Sequence, residues 1–202
     1  FSGRVIYPNR EEDLKHNIAD SQYGKLLYGL DFLQEHTPLS IVPLYMYRLD
    51  FLTQNNITFW EGIFYEDMDF SVQIFLKNPR IKFIKKKCYI YYKRSNSITG
   101  SVNLKKYKDM CGICQKYSSI TNSKISEQRI SLQKLLISYL MVTEELYHQL
   151  TGSEKKGATI IRKKLLIHIH KQHICEIKLF LVSMFPTICY HVRNIRRKIT
   201  RN

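Results

Sequence analysis

The chain has 202 residues, of which 44% are hydrophobic and 24% charged. That is enough apolar mass for one domain with a substantial appendage, and too much for an intrinsically disordered chain. The net charge of +15 is uneven: residues 1–100 carry 13 Lys and Arg against 11 Asp and Glu, whereas residues 101–202 carry 19 against 6. The first half has the balance of a neutral enzyme or binding domain, and the second half calls for an anionic partner, either nucleic acid or an acidic membrane surface.

In chain order, Val5-Ile6-Tyr7 is strand-like and closed by Pro8, and Asn9–Asp13 is polar and turn-like. Tyr23, Leu26, Leu27, Leu30 and Leu33 recur at three- and four-residue steps, which predicts a helix over Ala19–His36 that Pro38 ends. Pro43 suits a first helical turn and Asn55-Asn56 an exit, so a second helix is predicted over Pro43–Asn55. The short β-rich run Ile57–Trp60 is broken by Glu61-Gly62. Glu66-Asp67 then opens a helix to about Lys77, with Phe70, Ile74 and Phe75 as its buried positions and Asn78-Pro79 as its stop. Ile81–Tyr92, rich in β-formers, is the best strand candidate, and Lys93–Ser101 reads as a polar loop. From Leu104 the texture is helical, with helices predicted near 104–121, 126–151, 154–173 and 174–199 and a break at Thr151-Gly152-Ser153. No internal repeat stands out.

Three features invite other chemistry. Cys111-Gly-Ile-Cys114 and the group His168, His170, His173 and Cys175 have ligand types suited to zinc, but more than fifty residues separate them and both fall in predicted helices. They read as half-buried cysteines and surface histidines, so no metal site is expected here. Lys85-Lys86-Lys87 reads as a solvated strand end, with no recognition helix or RNA-binding signature beside it. Leu179–Tyr190 is apolar but too short to span a bilayer, which takes about twenty residues. It is followed by Arg193, Arg196, Arg197, Lys198 and Arg201, a pattern that suits an interfacial helix on anionic lipid as well as a core helix with a basic exit. The five cysteines form no evident disulfide framework and no signal peptide is visible, which fits a reduced, cytoplasmic setting, peripheral at the inner membrane face.

The richest stretch for chemistry is Phe51–Ser101. Glu66 and Asp67 are adjacent carboxylates at a predicted helix start, where the partial positive charge favours the ionised form. A basic, hydroxyl-rich loop follows about thirty residues later. An ionised carboxylate beside such a loop could act as a general base next to an anion site. The same residues also fit plain helix-start carboxylates and a solvated loop.

The order of motifs resembles the second half of the catalytic domain of family 2 inverting glycosyltransferases of the GT-A fold. The turn Phe59-Trp60-Glu61-Gly62, the pair Glu66-Asp67, and Tyr91-Tyr92-Lys93-Arg94 with Ser97-Ile98 stand in the family's sequence, preceded by Tyr45–Leu52 as the helix before the turn. Lys93 and Tyr65 depart from the residues many relatives carry there. The resemblance covers about residues 1–101. It implies an α/β fold, the second half of a GT-A (Rossmann-like) catalytic domain on the acceptor side; residues 102–202, by their own pattern, follow as an all-helical region with a basic tail suited to membrane association.

By the same resemblance Asp67 is the general base, and Glu66 orients the acceptor. Arg94 and Ser97 face the donor pyrophosphate, and Trp60 and Tyr65 stack on sugar, although Trp60 fits core packing equally. The implied partners are a nucleotide-sugar donor and a saccharide or lipid-linked acceptor in cell-surface polysaccharide synthesis. A divalent ion, Mg or Mn, is expected in a full-length enzyme, but the family's Asp-x-Asp ligand motif does not occur before residue 50. With a first residue that is not Met, this makes the chain read as a fragment or one piece of a split enzyme, inactive in isolation. The competing expectations are a basic helical nucleic-acid-binding protein and a non-catalytic remnant of such an enzyme.

Overall fold

The computed structural model describes residues 2–6, 11–14, 18–92, 101–121, 126–172 and 177–199. The chain divides into two compact units, Phe1–Ser101 and Val102–Asn202.

Among the described residues the first unit holds two small sheets and three α-helices. β1 (Ser2–Ile6) pairs antiparallel with β2 (Glu11–Leu14) and parallel with β5 (Lys87–Tyr92), in the order β2-β1-β5. β3 (Leu26–Tyr28) and β4 (Arg80–Lys82) form a separate antiparallel pair, with Leu27 opposite Ile81. Glu11–Asp13 is therefore strand, not turn: among the described residues β2 is the outer strand of a three-stranded sheet.

The helix expected over Ala19–His36 is replaced by a 3-10 turn at Asp20–Gln22, β3, and α1 (Gly29–Glu35). Gly24 has φ +78°, which interrupts a right-handed helix, and its N–H donates to the Phe83 carbonyl at 2.8 Å. The helix starts at Gly29 because the turn after α3 (Glu66–Leu76) closes on it. The Gly29 N–H reaches the Pro79 carbonyl at 2.9 Å, and Leu30 N–H reaches Asn78 Oδ1 at 2.9 Å. A Cβ at Gly29 would lie 2.5 Å from Pro79 Cδ, so no larger residue fits without movement.

Only α2 (Leu49–Gln54) and a 3-10 turn at Val42–Leu44 form within the helix expected over Pro43–Asn55. The single strand expected over Ile81–Tyr92 is split between the two sheets. At the split Phe83 turns into the core, with its ring 5.2 Å from Phe32, while Lys85 and Lys86 remain in solvent. Phe32 also stacks on Phe75 at 5.3 Å, so one phenylalanine joins α1, α3 and the segment after β4. Burial of such rings is worth roughly 1.5–3 kcal/mol each.

The second unit is helical: α4 (Leu104–Thr121), α5 (Ser126–Gln149), α6 (Gly152–Gln172), α7 (Ile177–Met184) and α8 (Pro186–Ile199). The first three coincide with the predicted helices. The fourth is broken in two at Phe185-Pro186, because Pro186 has no N–H for the preceding turn and instead begins α8.

Asn103 starts α4 by accepting from Lys106 N–H at 2.9 Å, and Glu154 of α6 accepts from Leu104 N–H at 3.1 Å. Tyr107, Met110, Ile113, Leu132, Leu136, Leu140, Leu165 and Ile169 are buried at helical spacing along α4, α5 and α6. Inside this apolar interior Arg162 of α6 makes a two-pronged pair with Glu144 of α5, 2.7 Å at each prong, and donates to Thr187 of α8 at 2.9 Å. No helix among the described residues is long and apolar enough to cross a membrane.

Candidate active site

The segment that carries the carboxylates is shaped by two left-handed residues. Gly62 has φ +76° and Tyr65 φ +66°, and Tyr65 is the residue from which α3 departs. For Gly62 the left-handed conformation costs little, whereas for tyrosine it is strained, and local strain of this kind often accompanies functional turns. Tyr65 caps α3 with its main chain: its carbonyl accepts from Met68 N–H at 3.0 Å and Asp69 N–H at 3.3 Å.

The turn is held on α3 from the other side. The Phe59 ring stacks on Phe70 at 4.2 Å with the planes 11° apart. Gln73 Nε2 donates to the Thr58 carbonyl at 2.9 Å. Ile57, Phe70 and Ile74 form the core beneath, with Val42, Tyr47, Phe51 and Leu52 packed around them. The three positions expected to be buried on this helix, Phe70, Ile74 and Phe75, are all buried.

Glu66, Asp67 and Asp69 all fall in the first turn of α3 and differ sharply in environment. Glu66 is exposed. Asp67 is half-buried, and its Oδ1 accepts from Met68 N–H at 2.8 Å. Burial, with the Glu66 charge beside it, pushes the Asp67 carboxyl up to about 6, although the Met68 N–H pulls the other way. Beside the helix-end field that favours the ionised form, Asp67 thus experiences an opposing loss of hydration and a neighbouring like charge. A carboxylate near 6 is a better proton acceptor at neutral pH than an ordinary aspartate.

Asp69 is fully buried and receives Gln73 Nε2 on Oδ2 at 2.8 Å. The sequence reading did not single out Asp69 or Gln73. Their spacing of four on the helix was the available signal, since i and i+4 side chains share a face.

The structure thus places Trp60, Tyr65, Glu66 and Asp67 on one turn and the helix start it feeds. Trp60 is 38% exposed, so it is not a core residue. Arg94 and Ser97 lie outside the described residues. Among the described residues no three His, Cys, Asp or Glu side chains group as metal ligands. Cys111 and Cys114 are buried, and burial pushes the Cys111 thiol up to about 12. His168 instead meets Ser119 Oγ at 3.2 Å and His170 packs on Phe180, whereas His173 and Cys175 lie outside the described residues.

A cavity of about 650 Å³ opens elsewhere in the same unit, lined by Tyr45, Arg48, Phe51, Ser71, Phe75 and Arg80 among others. Neither Glu66 nor Asp67 lines it. Tyr45–Arg48, expected in a helix, line it outside any helix. The carboxylate turn is taken as the candidate because burial moves its Asp67 carboxyl toward neutral pH, whereas in the cavity wall burial pushes Tyr47 away from neutrality and Arg48 and Asp50 hold each other in their charged forms.

With this geometry in view, one comparison with known proteins bears on it. The chain is 24% identical over 164 residues to a protein described as uncharacterized glycosyltransferase YibD of Escherichia coli (strain K12). The similarity is to a glycosyltransferase. The match covers 77% of this chain and 43% of YibD, so this chain spans less than half the length of that relative. No family model and no solved structure matches the chain.

Proposed function

We propose that this chain carries the catalytic base and the acceptor side of an inverting, nucleotide-sugar-dependent glycosyltransferase of GT-A type. The observation that carries the reading is Asp67. It is a partly desolvated carboxylate at the start of α3, with a proton affinity suited to a base, in a chain similar to a glycosyltransferase.

In this mechanism the acceptor hydroxyl oxygen attacks the anomeric carbon of the donor as its proton passes to Asp67. The new C–O bond forms while the bond to the nucleoside diphosphate breaks, and the diphosphate leaves with that electron pair from the opposite face, so the configuration inverts. Glu66, exposed on the same helix turn, holds the acceptor by its other hydroxyls in this reading. Trp60 and Tyr65 offer aromatic faces to sugar C–H surfaces. Arg94 and Ser97 are assigned to the donor pyrophosphate on sequence order alone, a guanidinium suiting the developing phosphate charge.

The acceptor is a saccharide or lipid-linked saccharide of cell-surface polysaccharide synthesis. A divalent ion would steady the leaving diphosphate. The described residues supply no ligand group for it, so no step above is routed through it. Transfer is expected only from a polypeptide that also supplies a donor-binding half, since the chain spans 43% of YibD.

The test is transfer by such a polypeptide with Asp67→Asn. The amide is nearly isosteric but cannot take the proton, and turnover should drop by roughly a hundred- to ten-thousand-fold with donor affinity kept. Near-normal turnover would remove Asp67 from the base role.

A further inference from the structure

We propose that the outward face of α7 and α8 is a docking surface for an anionic lipid bilayer, on which the helical unit lies without crossing it. This is independent of the sugar-transfer reading. Seven large apolar side chains are exposed in a row: Ile177, Leu181 and Met184 on α7, Phe185 at the break, and Ile188, Val192 and Ile195 on α8. Their steps of four, three, one, three, four and three place them on one side of each helix. Ile177 is 76% exposed, Ile188 61% and Ile195 58%.

The opposite side of the same helices is already used. Leu179, Val182 and Pro186 are buried, Thr187 accepts from Arg162, and the Tyr190 ring stacks on His148 at 4.9 Å. The exposed row is therefore not the helices' packing side turned outward.

Charge identifies the occupant. Residues 177–202 contain six Lys and Arg and no Asp or Glu. Lys178 and Arg196 are exposed beside the apolar row, and Arg193 lies half-exposed on the same helix. An aliphatic row bordered by cations matches the acyl boundary and headgroups of an anionic leaflet, with the row immersed and the cations at the phosphates. Nucleic acid would meet the cations but leave the aliphatic row in water. A second copy would bring like charges together. No described helix can span a bilayer, so binding would be interfacial.

The test is co-sedimentation of the 202-residue chain with vesicles of phosphatidylglycerol and phosphatidylcholine in equal parts, and with phosphatidylcholine alone. Binding is expected to the first, weakly or not to the second, and to fall as salt rises. Ile188→Gln with Ile195→Gln keeps charge and helix propensity and should weaken vesicle binding about tenfold or more. Lys178→Gln with Arg196→Gln should weaken it on anionic vesicles about fivefold or more. Unchanged circular dichroism melts would show that both pairs leave the fold intact. The proposal is overturned if the isoleucine pair binds vesicles like the parent. It is also overturned if the parent ignores vesicles, whether or not it binds duplex DNA, or if the isoleucine pair instead abolishes self-association of the chain.

Discussion

Asp69 and Gln73 lie one turn apart on α3 and are joined by a 2.8 Å hydrogen bond from Gln73 Nε2 to Asp69 Oδ2. The same nitrogen donates to the Thr58 carbonyl at 2.9 Å, so a single amide ties a fully buried carboxylate to the turn that precedes the catalytic candidates. Gln73→Met keeps the length of the side chain and removes both donors. The first unit should lose about 1–3 kcal/mol, read from denaturant unfolding followed by Trp60 fluorescence. Gln73→Glu should be worse than Met, because it brings a second carboxylate to Asp69. Equal stability of Gln73→Met and parent would show that the link carries no weight.

Asp67 and Glu66 should separate in kinetics. Asp67→Asn removes the proton acceptor, whereas Glu66→Gln preserves most hydrogen bonding to an acceptor and should raise KM more than it lowers kcat. Steady-state transfer by the donor-competent polypeptide distinguishes them. A larger kcat loss in Glu66→Gln moves the base one residue upstream.

The raised proton affinity of Asp67 has a signature in rate and in stability. The base works only when ionised, so kcat/KM should climb with pH through a limb near 6 and lie flat above it. For stability, the folded value of about 6 exceeds the ordinary 3.8, so the folded state holds this proton more tightly than the unfolded chain. That contribution is complete below 3.8 and is lost as pH rises through 6. Asp67→Asn should therefore melt higher than the parent at pH above 6, by the equivalent of ~1 kcal/mol after allowance for the solvent-facing part of the side chain. The gap should close in acid. A variant that melts lower at every pH would contradict this assignment.

The Glu144–Arg162 pair is a test of the second unit. Glu144 is 2% exposed, and Arg162 also holds Thr187 and lies 4.7 Å from the Tyr147 ring. Arg162→Ala strands a buried carboxylate and should cost roughly 3–5 kcal/mol. Replacing both residues, Glu144→Leu with Arg162→Met, should recover much of that loss. Thermal unfolding of the three proteins settles it, and a double variant no better than Arg162→Ala would mean the pair does more than neutralise itself.

The sequence by itself determined the elements whose cause is local. The start of α3 at Glu66, its buried face at Phe70, Ile74 and Phe75, and the helices α4, α5 and α6 follow from apolar residues recurring at the helical period and from breakers at their ends. Tertiary structure decided the rest, because the cause is a partner distant along the chain. Leu26–Tyr28 has helical spacing, yet it is a strand because Arg80–Lys82 lies beside it to take its backbone hydrogen bonds. Tyr91 is strand-forming by composition, but only the parallel pairing of β5 with Val5 of β1 separates it from β4. The acidic pair at 66–67 was legible as a motif, whereas the proton affinity of Asp67 was not. That property arises from burial of the carboxyl and from the Glu66 charge beside it, and burial exists only in the folded chain.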